Sequence, residues 1–143
     1  MFGHHFVSNY CPYFQSYRQR IVQLADAYEK KQNKVKFILI NPENAHDTEE
    51  TMRSDAQFFQ LPYLWDKGQE IATRLKATKT PEAFVLQKNL DQFVIKYNGA
   101  IDDNPQLAEE VNSFYLKDAI EAVLGKRNIN GATQRPTGCM IKE

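Results

Sequence analysis

The chain has little to work with in redox or metal chemistry: 143 residues hold two cysteines, three histidines and one tryptophan. Net charge is also missing. Eighteen Lys and Arg offset eighteen Asp and Glu, so no global field draws the protein toward nucleic acid or an acidic membrane surface. Long apolar runs are absent too. No run exceeds the length of Phe37-Ile38-Leu39-Ile40, far below the roughly 20 residues that span a bilayer, so neither nucleic acid nor membrane is an expected partner. The opening residues lack the basic, apolar and small-residue pattern of a signal peptide, which favours the cytoplasm. Two cysteines alone fit either an oxidising or a reducing compartment. Neither an internal repeat nor a linker stands out. The length suits one domain able to bury a core without metal or disulfide staples.

The two cysteines therefore carry most of the chemistry. Cys11 ends the apolar run Phe6-Val7 and its polar exit and stands directly before Pro12, a residue suited to the first helical turn because its missing N–H would be unpaired there anyway. A thiol at that place faces free backbone N–H groups and the positive end of the helix dipole. Both favour the thiolate, the form that attacks disulfides and peroxides. A buried, inert cysteine is the competing reading.

The apolar spacing predicts a strand over residues 2–8 and a helix from Pro12 to Lys31, with Phe14, Tyr17, Ile21 and Leu24 on its inner face. Residues 35–40 read as a strand buried on both sides and ended by Asn41-Pro42. Asp47 and Glu50 form a capping-box pattern for a helix to Phe59, and Asp66 caps a helix through Lys76. Residues 61–65 between them read as a loop. Thr80-Pro81 introduces a strand over 83–86, a polar turn at 88–91 returns it as a hairpin strand over 92–97, and a last helix covers 107–124 up to Gly125. The expected fold is an α/β sandwich: a mixed four-stranded sheet in the order second, first, third, fourth, with helices on both faces. Residues 1–125 form this domain, and 126–143 a flexible C-terminal tail carrying Cys139.

Several motifs, in order and spacing, resemble one family. They are Asn9-Tyr10-Cys11-Pro12-Tyr13, Leu61-Pro62-Tyr63-Leu64-Trp65-Asp66, Thr80-Pro81-Glu82 and Tyr97-Asn98-Gly99-Ala100-Ile101-Asp102-Asp103. The chain resembles thioredoxin-fold proteins of the redoxin type, related to thioredoxins and to the alkyl hydroperoxide reductase and thiol-specific antioxidant group. Gly138-Cys139-Met140-Ile141-Lys142 is similar to the Gly-Cys-x-Ile-Lys ending of one redoxin-like branch. The resemblance implies a cis bond at Thr80-Pro81 facing a nucleophilic Cys11, with backbone beside it that pairs with a substrate peptide. Pro12, Tyr10 and Tyr13 would complete that substrate face, the two tyrosines as an apolar rim. Core packing is the expected role of Trp65.

The sequence also departs from the family. Where thioredoxins place a second cysteine, three residues after the first, Phe14 stands. Where peroxiredoxins carry Pro and Thr upstream, His4 and Ser8 stand. Cys139 is then the remaining candidate for resolving a mixed disulfide on Cys11. An 18-residue last helix would carry the chain about 27 Å from the active-site end at about 1.5 Å per residue, and the tail, at about 3.3 Å per residue, spans on the order of 45 Å. A cycling pair, a structural staple and a spectator thiol all remain open. His5, six residues before Cys11, occupies the position of a buried thioredoxin Asp that moves the proton of a buried thiol, and could serve as a base. Metal binding by His4, His5 and Cys11 lacks ligands, because neighbouring strand residues point to opposite faces. No cofactor is expected. The implied activity is thiol–disulfide oxidoreduction with Cys11 as nucleophile and Cys139 as resolving thiol. Its partners would be protein or small-molecule disulfides, or peroxide, together with an external thiol reductant. A thiol peroxidase and a non-catalytic thioredoxin-fold binding module are the alternatives.

Overall fold

A computed structural model of the chain describes residues 2–6, by backbone only, and 11–42, 47–129, 131 and 133–141. The first half runs β1 (Phe2–Phe6), α1 (Pro12–Ala25) extended by a π-helical turn (Asp26–Lys30), β2 (Lys36–Asn41), α2 (Glu49–Phe59) and β3 (Tyr63–Trp65). It continues through α3 (Glu70–Leu75), β4 (Lys79–Thr80), β5 (Glu82–Asn89), β6 (Gln92–Gly99), a 3₁₀ turn (Ala108–Glu110) and α4 (Tyr115–Leu124). Two short strands, β7 (Thr133–Gln134) and β8 (Cys139–Met140), close the chain.

The main sheet has the order β3-β2-β1-β5-β6-β7, and β4 pairs separately with β8. Its four central strands follow the order read from the sequence. The sheet is wider than four strands because β3 adds to the β2 edge and β7 to the β6 edge. β1 is parallel to β2 and antiparallel to β5, with His5 opposite Leu39 on one side and Ala83 on the other.

The continuous apolar run of β2 serves both faces, as strand alternation requires. Phe37 and Leu39 join Phe14 and Ile21 of α1, Val85 of β5, and Leu116 and Ile120 of α4 in the larger core. Ile40, with Phe84 and Leu86, meets Ala72 of α3 on the other face. Each fully buried side chain of this size contributes about 1.5–3 kcal/mol, so the helix carrying Cys11 is pinned to the sheet along its whole inner stripe.

Local chemistry moves several boundaries. α2 is capped by Thr48, whose hydroxyl accepts from the Thr51 N–H while the Thr51 hydroxyl accepts from the Thr48 N–H. Asp47 instead accepts a hydrogen bond from the Asn41 side chain. The expected loop over 61–65 contains β3. The Asp66 carboxylate does reach the start of α3, accepting from Ile71 and Ala72 N–H, across an intervening turn. The last helix is half the expected length. Asp103 explains this: its N–H donates to the Ser113 carbonyl and its carboxylate accepts from the Asn112 N–H, holding 103–113 as a loop until Tyr115. Asp102 is buried in an ion pair with Arg20 at 2.9 Å and accepts from the Tyr17 hydroxyl at 2.8 Å. Trp65 is not in the core. It stands 39 % exposed at the end of β3, with the Lys67 Nζ 5.1 Å from its ring. Within 126–143, expected as a flexible tail, the described residues carry two strand pairings and pack Ile129 and Ile141 against the two cores.

Candidate active site

Cys11 occupies the N-cap of α1, extended at φ −78° and ψ 122°, and Pro12 opens the helix. Its carbonyl already accepts the Gln15 N–H at 3.2 Å, while its side chain makes no capping hydrogen bond. Phe14, three residues on, is fully buried. The position that would hold a local partner thiol therefore points into the core, where a cysteine's place is taken by aromatic packing against Phe59.

The partner comes from the other end of the chain. Cys11 and Cys139 form a disulfide with Cα atoms 5.9 Å apart across a sequence separation of 128. Among the described residues neither thiol is free.

The strand that delivers Cys139 is fixed to the loop facing Cys11. β8 pairs antiparallel with β4, Cys139 opposite Thr80 and Met140 opposite Lys79. The Ile141 N–H donates to the Thr78 carbonyl at 2.9 Å, and the Lys79 ammonium donates to the Pro136 carbonyl at 3.2 Å. The Thr80–Pro81 peptide bond is cis. The Thr80 carbonyl oxygen lies 3.2 Å from the Cys11 sulfur, a distance at which a reduced thiol would donate to it. Gly138 passes so close to this peptide that a Cβ would fall inside contact distance of the Thr80 oxygen, 2.8 Å from its carbon and 3.2 Å from the Pro81 nitrogen. Glycine at this point is a requirement of the close approach.

Glu82, 3 % exposed, holds the loop from behind. Its carboxylate accepts the N–H groups of Thr78 at 2.8 Å and Lys79 at 3.2 Å, which leaves the outer edge of β4 presented to β8. Further back, β7 lies beside the end of β6, where the Ala100 N–H donates to Gln134 and Gly99 takes φ +138° against the Gln134 backbone. The tail is thus tied at two places before its cysteine meets Cys11.

The structure therefore brings together Cys11, Pro12, Thr80, Pro81 and Cys139. Tyr13, 37 % exposed, sits in the first turn of α1. Tyr10 and Ser8 lie outside the described residues, and His5 is described only as backbone in β1. Among the described residues no cluster of His, Cys, Asp and Glu could hold a metal ion, and no helix is long and apolar enough to cross a membrane. Glu82 and Gly138 escaped the sequence reading as separate contributors. Their signals were local: a carboxylate directly after the loop proline, and a glycine directly before the terminal cysteine.

Residues 3–91 match a family model described as thioredoxin-like. The chain belongs to the thioredoxin-like family. The match includes Cys11 and the Thr80–Pro81 loop and stops before the tail. Two solved structures resemble this thioredoxin-like chain over 99 % of its length. One is an uncharacterized conserved protein from Geobacillus kaustophilus, 29 % identical with a TM-score of 0.85 and covered over 76 % of its own chain. Another is a hypothetical protein, SMc02350, from Sinorhizobium meliloti, 26 % identical with a TM-score of 0.83 and covered over 78 %. StoA from Bacillus subtilis shares the fold at 17 % identity and a TM-score of 0.52, over 66 % of this chain and 72 % of its own. No curated protein matches the sequence.

Proposed function

We propose that the protein is a thiol–disulfide oxidoreductase in which Cys11 is the nucleophile and Cys139 the resolving thiol. The observation that supports this is the Cys11–Cys139 bond at the N-terminus of α1, against the Thr80–Pro81 loop. In the reduced protein the Cys11 thiolate attacks one sulfur of a substrate disulfide, forming a mixed disulfide and expelling the other sulfur as a thiolate. Cys139 then gives up its proton, attacks the Cys11 sulfur, and releases the second substrate thiolate as the intramolecular disulfide forms. The helix N-terminus lowers the energy of the Cys11 thiolate as nucleophile and as leaving group. Peptide-like occupation of the β4 edge by β8 favours polypeptide disulfides over peroxide as substrates.

The test compares reduced wild type with Cys11→Ser and Cys139→Ser. Alkylation of Cys11 in the Cys139→Ser chain should follow a pKa below the ordinary thiol value of about 8.5. Oxidised glutathione should accumulate as a mixed disulfide on Cys11 in that variant and yield the intramolecular bond in wild type. An unperturbed pKa together with no mixed disulfide would leave a thioredoxin-fold binding module.

A further inference from the structure

The two sulfurs of the disulfide are not equally open. Cys11 is 1 % exposed, enclosed by the core around Phe14 and Ala83, with the Thr80 carbonyl against its sulfur and β8 lying across the loop. Cys139 is only partly buried. It sits on a two-residue strand whose sole described ladder partner is β4, next to Met140, which is 62 % exposed. Thiol–disulfide exchange places the incoming sulfur, the attacked sulfur and the leaving sulfur in a line. Attack on Cys11 would need an approach from the side away from Cys139 to a residue that is closed to solvent. Attack on Cys139 comes from the side away from Cys11 to a residue that is partly open. The leaving group points the same way. Expelling Cys11 puts the new charge on the N-cap residue of α1 itself, whereas expelling Cys139 puts it on a residue of the tail strand.

We propose that the external reductant enters at Cys139, so that the tail and not the helix carries the mixed disulfide of the reductive half-reaction. This rests on the oxidoreductase reading above and assigns its second partner a separate point of contact. A thiolate of the reductant forms a bond to the Cys139 sulfur, the Cys139–Cys11 bond breaks, and Cys11 leaves with the electron pair as a thiolate. A second thiolate, from the same dithiol or another molecule, then attacks the reductant's sulfur and expels Cys139 as a thiolate, which takes a proton from water. Two thiols are oxidised to one disulfide and the protein disulfide is reduced to two thiols. With the bond broken, β8 is held to β4 by backbone pairing, the Lys79–Pro136 hydrogen bond and the packing of Ile141, and its departure uncovers both the Cys11 sulfur and the β4 edge for a substrate. Substrate and reductant thus meet different cysteines: the first at Cys11 with the tail away, the second at Cys139 with the tail docked.

The test uses the oxidised full-length protein and isotope-labelled reduced glutathione, mixed for milliseconds to seconds, quenched in acid and blocked with a maleimide. Peptide mapping then locates the glutathione and the maleimide. At the earliest times glutathione should be on the Cys139 peptide and maleimide on Cys11. The expected excess over the reverse pattern is about tenfold or more, since the thiol favoured as thiolate leaves faster and Cys139 is the partly open residue of the two. Glutathione arriving first on Cys11 would overturn this entry point and leave the oxidoreductase reading standing. A disulfide that resists excess glutathione and dithiols alike would make the bond a structural staple and overturn both.

Discussion

Replacing Gly138 with alanine should weaken the Cys11–Cys139 bond without touching either cysteine. The added Cβ falls within contact distance of the Thr80 carbonyl oxygen, 2.8 Å from its carbon and 3.2 Å from the Pro81 nitrogen. All three are backbone atoms, so no side-chain rotation relieves the clash, and Glu82 holds Thr78 and Lys79 in place behind them. The tail has to lift from β4 at the residue that precedes Cys139. Overpacking of this kind costs about 1–3 kcal/mol. The cost falls on the oxidised state if, as proposed, the reduced tail leaves β4. It corresponds to a roughly 5- to 150-fold smaller tendency to close the bond, at about tenfold per 1.4 kcal/mol. For a two-electron couple this is a potential less negative by about 20–65 mV. The assay equilibrates the protein in glutathione buffers of graded ratio, quenches in acid, and counts maleimide-labelled thiols by mass. Gly68→Ala is the control, since a Cβ there meets nothing within 4 Å, and it should match wild type. A Gly138→Ala potential within about 10 mV of wild type, which is under half a kcal/mol, would refute the claim that this close approach governs the pairing.

Two further predictions concern stability. The disulfide joins residues separated by 128 positions, and the chain-entropy model gives up to about 5 kcal/mol of stabilisation for a loop of that size. Urea unfolding of oxidised wild type against Cys139→Ser should show a loss approaching that figure, and a loss under about 1 kcal/mol would mean the unfolded state is not constrained by the bond. Asp55 is buried beside Arg18, 3.0 Å away, with its second carboxylate oxygen unpartnered. Burial raises its pKa, with Arg18 opposing. A raised folded-state pKa means that the native state binds the proton more tightly than the unfolded chain. The stabilisation is then present below the unfolded value and is lost as pH rises through the folded one. Relative to Asp55→Asn, wild type should therefore lose stability between pH 4 and pH 7 in paired urea melts. A wild type that gains over the variant across that range would show the Arg18 pairing outweighing burial.

The sequence made the central sheet and the start of α1 legible because their signals are local and repeated. The run Phe37 to Ile40, ended by Asn41-Pro42, reads as a strand buried on both faces, and Cys11-Pro12 as a helix start, where N–H groups lack partners. What was harder to read depends on single contacts. The start of α4 is decided by Asp103 gripping Asn112 and Ser113, against a helical pattern from Leu107. Trp65 reads as core by its type, yet β3 ends the sheet there and leaves it at the rim. The arrangement of residues 126–143 is the extreme case. Its two strands are two residues each, too short for any periodicity, and their positions are set by glycines: Gly99 lets β7 approach β6, and Gly138 lets β8 approach β4. The composition of residues 126–143, with Asn128, Asn130, Gly131, Thr133, Pro136 and Gly138, describes a segment without much apolar surface of its own. Such a segment is ordered by what it is tied to. Here the ties are edge pairing, the side chains of Ile129 and Ile141, and one covalent bond whose formation depends on redox state. On the proposal above, the docked strand is the oxidised end of an equilibrium whose reduced end has β8 away from β4, and closing the bond between Cys11 and Cys139 shifts it toward docking.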